Sequence, residues 1–85
     1  MLMAEYSSPF ASGPGGVMTD DVGVITGDLE LRTEAGEDGL VSVYVRYEEA
    51  DEWYRLRGAS CVVHDPRDHR ALHMALLGVL NRPAG

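Results

Sequence analysis

The chain has 85 residues, with 7 basic side chains against 14 acidic ones, a formal charge of −7 at neutral pH with the histidines neutral. That charge opposes non-specific binding to nucleic acid or to an anionic membrane, both of which draw on a cationic field. A single cysteine excludes an intramolecular disulfide framework, no apolar run approaches the ~20 residues of a membrane-spanning helix, and a charged fraction of 25% with 45% hydrophobic residues fits one small folded domain. A domain of this size buries only about 60% of the surface its unfolded chain exposes, so its core is thin. All seven basic residues are arginine, and with the abundance of Ala, Gly, Val and Asp this points to a GC-rich, bacterial coding sequence. The first residues carry neither a basic segment nor the apolar stretch of a secretory signal, so the expected location is cytoplasmic.

Residues 1–20 are rich in Ser, Pro and Gly and sustain no period. Pro9 and Pro14 remove backbone donors, and Gly13, Gly15 and Gly16 raise the entropy of ordering, so the segment is expected to be a flexible N-terminal arm. Tyr6 and Phe10 are the groups in it with most to gain from docking.

A single domain is expected over residues 21–82, with a short C-terminal tail at 83–85. From Val22 the pattern is that of strands. Val22 and Val24 alternate, and Leu29 and Leu31 resume one step out of phase, which predicts a bulge or bend at Gly27. A turn-rich acidic stretch, Glu34 to Gly39, leads into the clearest alternation of the chain, with Val41, Val43, Val45 and Tyr47 on one face and Ser42, Tyr44, Arg46 and Glu48 on the other. Trp53 to Arg57 alternates again. A two-residue turn at Ala50 and Asp51 would set Arg46 opposite Arg55 and Val45 opposite Leu56. Cys61 to Val63 offers a further short extended piece.

Asp65 as cap, Pro66 at the first helical position and Asp68 three residues after the cap signal a helix that ends near Asn81, Pro83 and Gly85. Leu72, Ala75, Leu76, Val79 and Leu80 make its apolar stripe, which extends to Leu77. The fold expected is α+β, an antiparallel meander of three strands, or four with Cys61–Val63, covered on one face by the C-terminal helix (β-β-β-α). The width of the stripe suggests that Leu77 and Leu80 meet a partner, a second copy of the chain in the simplest case.

Two clusters bear on function. Cys61, His64, His69 and His73 have the spacing C-x2-H-x4-H-x3-H, and His69 and His73, four apart on one helix face, are placed as two zinc ligands would be. The alternative is that Cys61 is a small buried hydrophobe and the two histidines line the helix stripe, stacked on Trp53 or across a dimer axis. The second cluster is the outer sheet face, where Tyr44, Arg46, Trp53, Arg55 and Arg57 project together. It reads as a solvated face neutralised by Glu30 or Asp28, as a protein-binding surface anchored by Trp53 and Tyr44, or as a platform for single-stranded nucleic acid. Phosphate-binding glycine loops and catalytic constellations are missing from the sequence. The expectation is a non-enzymatic, homodimeric protein-interaction module without a cofactor, with zinc binding and nucleic-acid binding as alternatives.

Overall fold

A computed structural model describes residues 2–83. Seven strands and one helix follow one another: β1 (Leu2–Ala11), β2 (Val17–Thr19), β3 (Gly23–Ile25), β4 (Asp28–Gly36), β5 (Leu40–Tyr47), β6 (Tyr54–Arg55), β7 (Cys61–Val62) and α1 (Asp68–Leu80). The main sheet is antiparallel in the order β1-β4-β5-β6, and β7 pairs with the other end of β5. The α+β class is as expected, but the sheet is larger than a three-stranded meander.

The addition comes from the segment expected to be a flexible arm. Residues 2–11 form β1, paired along its length with β4, and β2 pairs with β3 in a second hairpin. The prolines are compatible with this because of where they fall. Ala11 N–H is turned away from β4 and donates to Asn81 Oδ1, so Pro9, two residues back, has its nitrogen on the same open edge, where no ladder bond is lost. Phe10 is buried in the core, the docking that its apolar surface favours. The tail assigned to 83–85 lies outside the described residues beyond Pro83.

Gly27 is the corner between β3 and β4, with φ +108, rather than a bulge within one strand. The β2–β3 hairpin is closed by Thr19, whose hydroxyl donates to the Gly23 carbonyl (2.7 Å) and accepts from Val22 N–H (3.0 Å). Asp20 N–H to Arg55 O and Arg57 N–H to Met18 O tie this hairpin to the end of the main sheet. Its inward residues, Val17 and Ile25, join Phe10, Leu29, Leu31, Ala35, Val41, Val43 and Val45 in one core.

The register between β5 and β6 is displaced by two residues from the one expected, with Tyr44 opposite Arg55 and Val45 opposite Tyr54. Both faces survive, because a shift of two preserves the alternation. The connection bulges out through Glu49, at φ +66, and Trp53 falls across the outer face.

The helix begins later than the sequence indicates: Arg67 is its N-cap, with no side-chain cap bond, and Asp65 and Pro66 form a turn ahead of it. Asp65 accepts from Arg67 N–H (2.9 Å) and from its guanidinium, which holds the Asp65 carboxyl below its ordinary range, and Asp65 O accepts from Asp68 N–H. Its buried face differs from the expected stripe. His69 and His73 are the buried residues, flanked by half-buried Leu72, Leu76, Leu77 and Leu80, while Ala75 and Val79 are exposed. Leu77 and Leu80 pack against the chain's own core, so neither forms an unpartnered face. No helix among the described residues is long and apolar enough to cross a membrane.

Candidate functional site

On the outer face of β4 and β5, cross-strand pairing brings Glu30 opposite Arg46, Arg32 opposite Tyr44 and Glu34 opposite Ser42. Arg46 donates from Nε and Nη2 to Glu30 Oε1 at 2.9 and 2.7 Å, and from Nη1 to Ala50 O at 2.9 Å. Arg32 forms ion pairs with Glu5 (2.6 Å) and Glu34 (2.7 Å). Trp53 lies over both guanidiniums, its ring centroid 4.4 Å from Arg46 Cζ and 5.5 Å from Arg32 Cζ. A shallow groove of about 300 Å³ runs between Arg32, Glu34, Tyr44 and Trp53.

The sequence brought Tyr44, Arg46 and Trp53 to this face, and the structure brings them together there. Arg55 shares the face through its pairing with Tyr44, whereas Arg57 reaches the hairpin instead, pairing with Asp20 at 3.0 Å. Arg32 joins the face through its pairing with Tyr44. Its place beneath Trp53 depends on the long connection after Tyr47.

The second cluster lies on the opposite face of the sheet. His69 and His73 descend from α1 onto β1 and β4, where Tyr6, Ser8 and Thr33 point inward. Thr33 Oγ1 is 2.8 Å from His69 Nε2 and 2.8 Å from His73 Nδ1, and Ser8 Oγ is 2.9 Å from His73 Nε2. Tyr6 packs edge-on against His69, with ring centroids 4.7 Å apart, and tilted against His73 at 5.6 Å. The aromatic partner of the histidines is therefore Tyr6 and not Trp53.

Burial pushes the pKa of both rings below the ordinary imidazole value. Hydrogen bonding to Thr33 partly opposes this at His69, and the nearness of His69 adds to it at His73. Between two neutral rings the Thr33 hydroxyl can donate to at most one and accepts N–H from the other or from both, according to their tautomers.

The four residues proposed for zinc do not converge. His69 and His73 are held by hydroxyls, His64 is exposed in the connection before α1, and Cys61 is half-buried on β7 opposite Val41. No group of three or more His, Cys, Asp or Glu among the described residues is placed to hold a metal ion. The helical connection and Asp65–Pro66 turn separate what sequence spacing set side by side.

The chain matches no known protein family, no curated protein and no solved structure. Its function is therefore argued from these two clusters alone.

Ser8 and Thr33 did not stand out in the sequence, and Tyr6 did so only as an aromatic group with surface to dock. Thr33 did leave a trace, since it continues the inward phase of Leu29 and Leu31 as a polar residue at a core position. Tyr6 and Ser8 became inward-facing only through the pairing of β1 with β4, where Tyr6 lies opposite Thr33 and Ser8 opposite Leu31.

Proposed function

We propose that the protein is a non-enzymatic protein-interaction module that binds its partner, a second copy of the chain in the simplest case, through the outer sheet face around Trp53. The observation that carries this reading is the half-buried Trp53 laid across Arg32 and Arg46 beside Tyr44, on a face that no helix covers. Trp, Tyr and Arg are the residue types that dominate binding energy at protein interfaces. Here the ion pairs already hold the arginines in place, so little side-chain entropy remains to be lost on docking.

The same ion pairs argue against nucleic acid. Arg32 and Arg46 are each matched by carboxylates, which leaves little of the cationic field that releases counterions from a phosphate backbone. Zinc binding has no convergent ligand set to support it.

The test is a photo-crosslinking residue placed at Ser42, on the outer face beside the groove, with a control at Arg70 on the exposed side of α1. In the cells that produce the protein, the Ser42 position should give a discrete adduct, resolved by mass spectrometry as a second copy or another protein. Trp53→Ala should abolish it. Equal labelling from both positions, or an adduct indifferent to Trp53, would overturn the reading.

A further inference from the structure

The two residues that α1 buries fully, His69 and His73, can both take up a charge, whereas its leucines are only half-buried. Every buried apolar residue of the core lies on a strand and none on the helix. The helix is thus fastened at its centre by imidazole, and the strands carry the dry core among themselves.

The surroundings of the rings hold no counter-charge among the described residues. From β1 they meet Tyr6 and Ser8, and from β4 Thr33. By alternation Glu5 of β1 and Asp28, Glu30 and Glu34 of β4 stand on the opposite face of the sheet, where Arg32 and Arg46 hold all but Asp28. Beside His69, Asp65 is taken up by Arg67, and Glu37, Asp38 and His64 are exposed, as are Asp68 and Arg70 on α1 itself, so water screens them. No described carboxylate forms an ion pair with either ring.

The hydrogen bonds suit neutral rings. Thr33 and Ser8 hydroxyls engage His69 Nε2 and both nitrogens of His73, but His69 Nδ1 is buried without a partner. Whichever tautomer the neutral ring adopts, an imidazolium carries hydrogen on both nitrogens, so charging His69 leaves a buried N–H with no acceptor. Charging both rings sets two cations against the one Thr33 oxygen. A buried, unpaired charge is costly, and the ring escapes that cost by moving into water.

We propose that α1 is a proton-operated cover: uptake of a proton by His69 or His73 releases the helix from β1 and β4 while β4 and β5 stay paired. Release uncovers Leu72, Leu76, Leu77 and Leu80, and frees the Ala11 N–H and carbonyl that Asn81 Oδ1 and Arg82 N–H hold in the closed form. The Trp53 surface lies on the other face of the sheet and keeps its own ion pairs throughout.

The test is native-state hydrogen exchange of the whole chain at pH ~7.5 and ~5.5, with each amide referred to its intrinsic rate at that pH. A ring that charges only when released, at an ordinary pKa of about 6.5, raises the opening equilibrium about tenfold across this interval. Amides of residues 72–80 should therefore exchange through an opening of their own, less protected than β4 and β5 at both pH values, with protection falling about tenfold or more at the acid end. Nitrogen shifts of the His69 ring, followed by NMR further into acid, should report charging only as α1 loses its protection. His64→Gln, which removes the exposed third histidine, should leave the response intact, and His69→Gln and His73→Gln should each shrink it. One shared level of protection for helix and sheet, no fall in α1, a His69 ring that charges under a protected helix, or a full response in both of the last two variants would overturn the proposal.

Discussion

The Thr33 hydroxyl lies 2.8 Å from His73 Nδ1 while it also meets His69 Nε2, so one oxygen on β4 satisfies two rings from α1. Thr33→Val keeps the shape and removes that oxygen. Both ring nitrogens would then be buried without a partner, at about 1–3 kcal/mol each. The expected loss is roughly 2–4 kcal/mol in urea denaturation, with Thr33→Ser retaining most of the stability. A Thr33→Val protein as stable as the parent would show that the hydroxyl does not hold the rings.

Burial of His69 and His73 makes stability depend on pH with a definite sign. Both folded-state pKa values lie below the ordinary 6.5, so between them and 6.5 the unfolded chain binds more protons than the folded one. Their contribution is therefore fully present above about 6.5 and is lost as pH falls below it. Denaturation at pH ~7.5 and ~5.5 should show lower stability at the acid end, before the carboxylates titrate. His73→Gln, which removes one titrating ring, should flatten the difference. Stability unchanged or higher at ~5.5 would contradict neutral buried rings.

How far the sequence led depends on which partner each residue needed. Val41, Val43 and Val45 declared their face by alternation alone, and the Asp65–Arg67 turn that leads into α1 needs only local bonds, so the strand face and the approximate place of the helix were legible, though not its first residue. β1 was not, because its stability comes from pairing with β4 rather than from its own residues, and Pro9 looks disruptive until its nitrogen is known to face an open edge. The helix stripe misled for a related reason. Apolar spacing put Ala75 and Val79 inward, whereas the surface waiting on the sheet is Tyr6, Ser8 and Thr33, which suits imidazoles better than methyl groups. Of the binding candidates, Tyr44, Arg46 and Trp53 needed only the parity of two strands. The association of Arg32 with Trp53 needed the course of a loop.

Gly39 and Gly58 separate backbone strain from steric exclusion. Both have positive φ, +82 and +71, but a Cβ at Gly58 meets nothing within 4 Å while one at Gly39 strikes the Val63 carbonyl. Gly58→Ala should cost about 1 kcal/mol, the strain of a left-handed residue. Gly39→Ala should cost about 2–3 kcal/mol or more, because the Val63 to Gly39 hydrogen bond must also give way. Thermal denaturation of the two variants side by side checks this, and equal losses would mean that the 63–66 segment yields without cost.

Trp53 is the only tryptophan, so its fluorescence reports the outer face directly. Removing the guanidinium beneath it with Arg46→Leu should move the emission to the red as the ring loses its stacking partner and loosens into water. The accompanying loss of stability should be small, about 0.5–1 kcal/mol, because Arg46 and Glu30 are both about a quarter exposed and such ion pairs contribute little. Glu30→Gln should leave the stacking in place, since Arg46 keeps its bond to Ala50 O, and the emission should move less. An emission maximum that ignores Arg46 but shifts with Glu30 would mean that the carboxylate, and not the cation–π contact, positions the ring.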